Sequence, residues 1–501
     1  MTVDPEPGGP PGAGPLSVEE VRRRASAGLV VVGTRGLAIA VVGLLSNIVL
    51  ARLLTPHDFG VAAAGLTFIG VVGLLSDGGL GAGLIRRPEP PDVAELRALL
   101  GFQLLVTVGM AIAIGTLAYP FGESGRVVAV MVCAMPLVAF QFPGKIQLER
   151  DLRYRPLAFV EVSQVVAYQV TAIALVAAGA GVWGLAIGWF ARAIVGAVVT
   201  TAVSPRRVLR PSLSWQPIRS LLAFGTRLQL VSATVIGREQ GLNAVVGGVG
   251  GIATLGLYSL TKRLLEVPYL VLTTLSRVSM PAMSRLVTAK EDPAPLIERA
   301  LSVASVGTGI VLVGLAGSGP GLVPGVFGDR WATAAQVLPG ACLGMFVAGS
   351  LSVSTQGFLY AVGDASAVLR STVVSAAVAL AVTSSLLPSI DVWAPGVGLL
   401  AASLCEAAVL IRCTRRHADV RLARIIALPA VLVAIAIGAG WWVADAAGRN
   451  FLSGLAGAGL AVGLYLGGLA VARRGQVSAF VRVVRRAVQN SRGAAAVPAQ
   501  G

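Results

Sequence analysis

Fourteen long apolar stretches, joined by short connections rich in arginine, leave this chain few ways to fold. They run over 26–51, 59–84, 96–118, 126–144, 157–179, 181–203, 217–241, 250–276, 296–316, 333–360, 364–387, 393–413, 424–444 and 452–472. A helix needs about 20 apolar residues to cross a hydrocarbon core ~30 Å thick. Strands of a closed barrel would be about ten residues long and alternate in polarity. These runs are longer and apolar on every side, so each backbone N–H and C=O must be satisfied within its own helix. The expected fold is an all-α integral membrane protein of about fourteen transmembrane helices. With 13% charged residues and mean hydropathy +0.80 over 501 residues, the chain is too apolar for a soluble domain, which carries roughly 25%, or for a disordered protein.

A net charge of +16 would suit a nucleic-acid ligand, but its distribution points to a membrane surface. When alternate connections are grouped, 30 Lys and Arg fall in one group and four (Arg52, Arg126, Arg330 and Arg449) in the other. Cationic connections stay on the cytoplasmic side, so a multi-pass protein of the cell membrane is expected, with both termini cytoplasmic and no nucleic-acid partner. Residues 1–25 lack the basic start and apolar core of a signal peptide and are expected to form a disordered tail; 473–501 form a basic tail. Four cysteines without a CxxC pair and two histidines predict no metal site. The longest weakly charged connection, 317–332, contains GPGLVPGVFGDRW. It groups no acid, base and nucleophile, so it reads as a plain connector, and no catalytic residue is expected.

Two short matches suggest an internal duplication. Gly33-Thr34-Arg35 corresponds to Gly225-Thr226-Arg227 at an offset of 192, and Gly60 corresponds to Gly256 at an offset of 196. The implied halves are helices 1–6 over 26–212 and helices 7–12 over 217–416, followed by two more helices over 424–472. Both halves start on the same side, so the repeat is parallel; transporters built this way hold substrate between their halves.

Ionisable side chains inside spans cost at least ~2.5–3.5 kcal/mol each at the bilayer centre, so they should face a cavity or one another. Arg35 and Arg227 lie roughly 14 and 15 Å into their spans. A guanidinium donates two parallel hydrogen bonds to phosphate and keeps its charge, so this pair across a cavity would suit a diphosphate; pairing with a carboxylate is the structural alternative. Lys262 and Arg263 stand mid-span with Glu266 in helical reach, which predicts one local ion pair and one spare cation. Arg192 is matched with Glu161, and Glu161, Gln164 and Tyr168 share one helix face. Asp77, in Leu75-Ser76-Asp77-Gly78-Gly79-Leu80-Gly81, either takes up a proton or cation or satisfies backbone freed by a helix break. Arg238, beside Glu239, is expected to reach outward to the interface. The candidate substrate cavity is thus Arg35, Arg227, Lys262, Arg263 and Arg192, and the gating or ion-coupling candidates are Asp77, Glu161, Glu266, Arg238 and Glu239.

Leu50-Ala51-Arg52-Leu53-Leu54-Thr55-Pro56-His57-Asp58-Phe59-Gly60, followed by the Asp77 segment, resembles the opening of bacterial polysaccharide flippases of the multidrug/oligosaccharidyl-lipid/polysaccharide exporter superfamily. Leu255-Gly256-Leu257-Tyr258-Ser259-Leu260-Thr261-Lys262-Arg263-Leu264 and Val278-Ser279-Met280-Pro281-Ala282-Met283-Ser284-Arg285-Leu286 resemble the eighth span and next loop of that family. The resemblance covers about residues 20–420. It implies two pseudo-symmetric six-helix lobes plus two helices, a central cavity and alternating access. The implied cargo is an undecaprenyl-pyrophosphate-linked oligosaccharide, moved to the outer leaflet for capsule, exopolysaccharide or O-antigen assembly. Implied partners are membrane lipids and the glycan polymerase and glycosyltransferases of the same pathway. No cofactor is implied beyond coupling to a proton or sodium gradient. The alternatives are a cation-coupled drug or metabolite antiporter of the same superfamily and a peptidoglycan-precursor flippase; a membrane enzyme is disfavoured by the short outer connections.

Overall fold

A computed structural model describes residues 18–482 except 88, 290 and 291, without the side chains of 18–34, most of 217–231 and scattered positions up to 284. The helices are α1 Val18–Leu53, α2 Pro56–Asp77, α3 Leu80–Arg86, α4 Val93–Ala118, α5 Gly122–Cys133, α6 Met135–Ala139, α7 Phe142–Arg150, α8 Tyr154–Leu175, α9 Val182–Val203, α10 Trp215–Val249, α11 Ile252–Thr288, α12 Ala294–Gly317, α13 Gly319–Phe327, α14 Leu338–Ala361, α15 Ala365–Ile390, α16 Trp393–Thr414, α17 Leu422–Ala446 and α18 Phe451–Ala472. No strand occurs among the described residues. Eleven helical stretches among them are long and apolar enough to cross a membrane. One of these, 93–139, holds the hairpin of α4 and α5, turned at Gly122 (φ 67°). The long helices α10 and α11 lie outside the eleven, so the architecture is compatible with fourteen crossings.

Several boundaries differ from expectation. Residues 18–25 belong to α1, not to a disordered tail, while 1–17 and 483–501 lie outside the described residues. The second span does not run unbroken over 59–84. A capping box between Thr55 and Asp58 starts α2, and the left-handed Gly78 (φ 50°) and Gly79 (φ 87°) end it before α3. Such φ values are readily adopted only without a Cβ. Asp77 Oδ1 accepts from the Gly81 N–H at 3.2 Å, so this carboxylate serves backbone freed by the break. The connector 317–332 is helical: α13 and a 3-10 segment, Asp329–Val337, fill it.

Those two segments help seal one end of the bundle, where α1 finishes. The last carbonyls of any helix lack partners within it. Here the Trp331 indole, fully buried, donates to Ala51 O at 2.8 Å, and Arg330 donates to Leu54 O. In return Arg52 donates to Gly325 O and Val326 O, near the end of α13, at 3.0 and 2.9 Å. The two halves therefore cap each other's helix ends. Alongside, α2 crosses α11 at close range: a Cβ on Gly60 would collide with the Ile252 carbonyl, and one on Gly256 with the Pro56 carbonyl. Gly256 follows Gly60, and Ile252 follows Pro56, by the same offset of 196, so this contact has the two-fold character expected of a duplicated chain.

Candidate functional site

Beneath this seal, α1, α2, α8, α9, α10 and α11 enclose a cavity of about 580 Å³. Its charged lining is Arg35, Arg192, Lys262 and Arg263 against Glu161 and Glu266. Arg35 meets Glu161 at 3.0 Å, so the structural alternative for Arg35 holds and its charge is largely cancelled. The expected match of Arg192 with Glu161 is not the ion pair formed; Arg192 stands 5.2 Å from the Trp189 ring centre. The expected local pair with Glu266 is also absent. Arg263 instead donates to Asn47 Oδ1 on α1, and Lys262 to Asn243 Oδ1 on α10 at 3.4 Å. Helical spacing allowed the pairs with Glu266, but neighbouring helices offered better-placed acceptors. Arg227 lies in the part of α10 whose side chains are outside the described residues.

The cavity wall also carries polar atoms without partners in the protein: Arg35 Nε, Trp189 Nε1 and Gln169 Oε1. A buried polar group left unbonded costs roughly 1–3 kcal/mol, so the wall is suited to a polar occupant or water. The expected polar face of α8 is present. Glu161 and Tyr168 line the cavity, while Gln164 is buried behind it and donates to Gln141 Oε1 at 3.0 Å. The cavity is joined to the seal through Arg263, which lies 5.5 Å from the Phe59 ring. Phe59 meets Trp331 edge-on at 4.9 Å. Beyond the apolar stretch, on α7, burial pushes the Lys145 ammonium pKa down and the Glu149 carboxyl pKa up.

A second cavity, of about 650 Å³, lies between α10, α11, α14, α15 and α16. It shares Lys262, Glu266 and Tyr269 with the first and adds Arg238, Glu239 and Glu406. Arg238 does not reach outward to the interface; it donates to Ser375 Oγ at 3.1 Å. Sequence reasoning missed Asn47, Asn243, Trp189 and Glu406. The asparagines left a signal, because they too are separated by 196 residues.

The family described as polysaccharide biosynthesis protein matches residues 49–336, more than half of the chain. The lipopolysaccharide biosynthesis protein WzxC of Escherichia coli (strain K12) is 26% identical over 333 residues, spanning 62% of this chain and 66% of that protein. The succinoglycan biosynthesis transport protein ExoT of Rhizobium meliloti (strain 1021) is 24% identical over 319 residues, spanning 61% and 62%. The chain thus covers just under two thirds of the length of these relatives. Among solved structures, the lipid II flippase MurJ in an inward closed conformation superposes with a TM-score of 0.68 at 9% identity, covering 89% of this chain and 99% of that one. An inward-facing multidrug resistance MATE family transporter of the MOP superfamily gives 0.55 at 14% identity, covering 79% and 99%. At these identities the likeness shows the fold.

Proposed function

Because the chain belongs to the polysaccharide biosynthesis protein family, we propose that it is a flippase, not an enzyme, moving an undecaprenyl-pyrophosphate-linked oligosaccharide to the outer leaflet. The observation that carries the reading is the central cavity, where Lys262 and Arg263 donate to neutral asparagine oxygens and Arg192 stands over the Trp189 ring. A membrane-embedded cation is costly. A diphosphate entering the cavity would offset that cost with short charge-assisted hydrogen bonds. In this reading the seat is Lys262, Arg263 and Arg192; Arg35, held by Glu161, plays a lesser part than the sequence suggested.

The lysine and arginine bias supports an outward-facing sealed end. The head group enters from the cytoplasmic side while the lipid tail stays in the bilayer, and release requires the exchanged helix caps at the seal to part. Equal affinity for both states would shift nothing, so net export draws on an ion gradient or on consumption of the product by the polymerase. A second reading, a cation-coupled antiporter, is favoured by the carboxylates Glu239, Glu266 and Glu406 in the second cavity.

Flipping in proteoliposomes tests the choice. With an undecaprenyl-pyrophosphate-linked oligosaccharide, the protein is expected to equalise the lipid's accessibility across the bilayer. An absence of flipping with any lipid-linked sugar, under imposed proton and sodium gradients, would overturn the flippase reading in favour of the antiporter.

A further inference from the structure

Asn47 on α1 and Asn243 on α10 are both over nine-tenths buried. They stand 196 residues apart, the offset that also relates the crossing glycines. Each spends its side-chain oxygen on a cation of α11: Asn47 Oδ1 accepts from Arg263, and Asn243 Oδ1 accepts from Lys262 at 3.4 Å. Asn243 is itself held, donating through Nδ2 to Gln240 Oε1 at 3.3 Å. One half of the molecule thus steadies one of two adjacent cations, and the other half the second.

The choice of amide matters chemically. A carboxylate in either place would form a stronger bond and cancel the charge, as Glu161 does for Arg35 3.0 Å away. An amide oxygen fixes the direction of the cation and adds no negative charge to offset it. Burial makes that difference large, because a unit charge a few ångströms away counts for much more here than in water. A cation held by a neutral acceptor, with its remaining N–H groups toward an open cavity, is preorganised for an anion and loses less side-chain freedom when the anion arrives.

We propose that Asn47 and Asn243 are positioning residues of the anion seat, aiming Arg263 and Lys262 without neutralising them. The proposal rests on the diphosphate reading above. It explains a pattern that packing alone leaves unaccounted for, two symmetry-related amides on two adjacent cations with Glu266 in reach of both yet paired with neither.

The test measures two quantities on the full chain in nanodiscs: affinity for inorganic diphosphate and melting temperature. Asn47→Asp and Asn243→Asp are expected to weaken binding about tenfold or more while the melting temperature holds or rises, since each gains an ion pair. Asn47→Leu and Asn243→Leu, matched in size and lacking an acceptor, are expected to weaken binding about threefold with a lower melting temperature. They carry the test if the aspartate proteins do not fold. A purely structural role would give the reverse order, with Asp binding at least as tightly as Leu; that order, or Leu variants with unchanged affinity, would overturn the proposal. Failure of the underlying reading has a separate signature. The wild type would then bind diphosphate no tighter than chloride, and Lys262→Met with Arg263→Met would change nothing.

Discussion

The central cavity and the cavity within the second half share Lys262, Glu266 and Tyr269, and they hold their remaining charges differently. In the first, Arg263 and Arg192 meet an amide and an indole face, and of the cations lining it Arg35 alone is within ion-pair distance of a carboxylate. In the second, Arg238 donates to the Ser375 hydroxyl, with Glu239 and Glu406 also lining the wall. Both sets are arginines, lysines and glutamates in membrane helices. What distinguishes them is the setting of the neutral partner: the asparagines hold their cations at a cavity shared by both halves, whereas Ser375 ties Arg238 across two helices of one half. A buried pair stripped of one member leaves an uncompensated charge and costs about 3–5 kcal/mol, whereas a cation already facing a neutral group leaves no such deficit.

That contrast can be broken most directly by removing charge on each side. Lys262→Met with Arg263→Met is expected to lower flipping of the lipid-linked oligosaccharide by about 100-fold with a modest change in stability, two charge-assisted bonds being lost. Arg238→Met should do the opposite, lowering stability in denaturation by about 2 kcal/mol through the lost charge-assisted bond to Ser375 and flipping by less than threefold per folded molecule. Similar losses at both sites would erase the distinction. A smaller change sharpens it: Glu161→Gln releases Arg35 from its carboxylate, and diphosphate binding measured by calorimetry should tighten by about fivefold. The smallest expected effect is that of Ser375→Ala, a loss of about 1 kcal/mol in denaturation with diphosphate affinity unchanged.

Much of the architecture was legible in the chain itself. Apolar length gave the helical class, and the match of Gly60 with Gly256 marked the place where the structure shows a two-fold crossing. Charge inside spans led to the central cavity, since Arg35, Arg192, Lys262, Arg263, Glu161 and Glu266 all line it. The pairings within it were not legible. Spacing along one helix proposes Glu266 for Lys262, but which side chain bonds which depends on how α1 and α10 sit against α11, a long-range property. The asparagines were overlooked because an uncharged amide in a span stands out less than an arginine. The helical nature of 317–332 was hidden by its glycines and prolines, which punctuate soluble chains but are tolerated in membrane proteins where neighbouring helices satisfy the backbone.

The crossing of α2 over α11 has a consequence for the medium that borders it. A closure made of ion pairs loosens when salt screens it or when protons neutralise one partner. Two glycines lying against two carbonyls offer nothing to screen and nothing to protonate, and the caps beside them join cations to carbonyl dipoles, with no titrating acceptor. The tightness of the crossing itself is therefore a matter of shape, whatever salt or protons do to the charges around it.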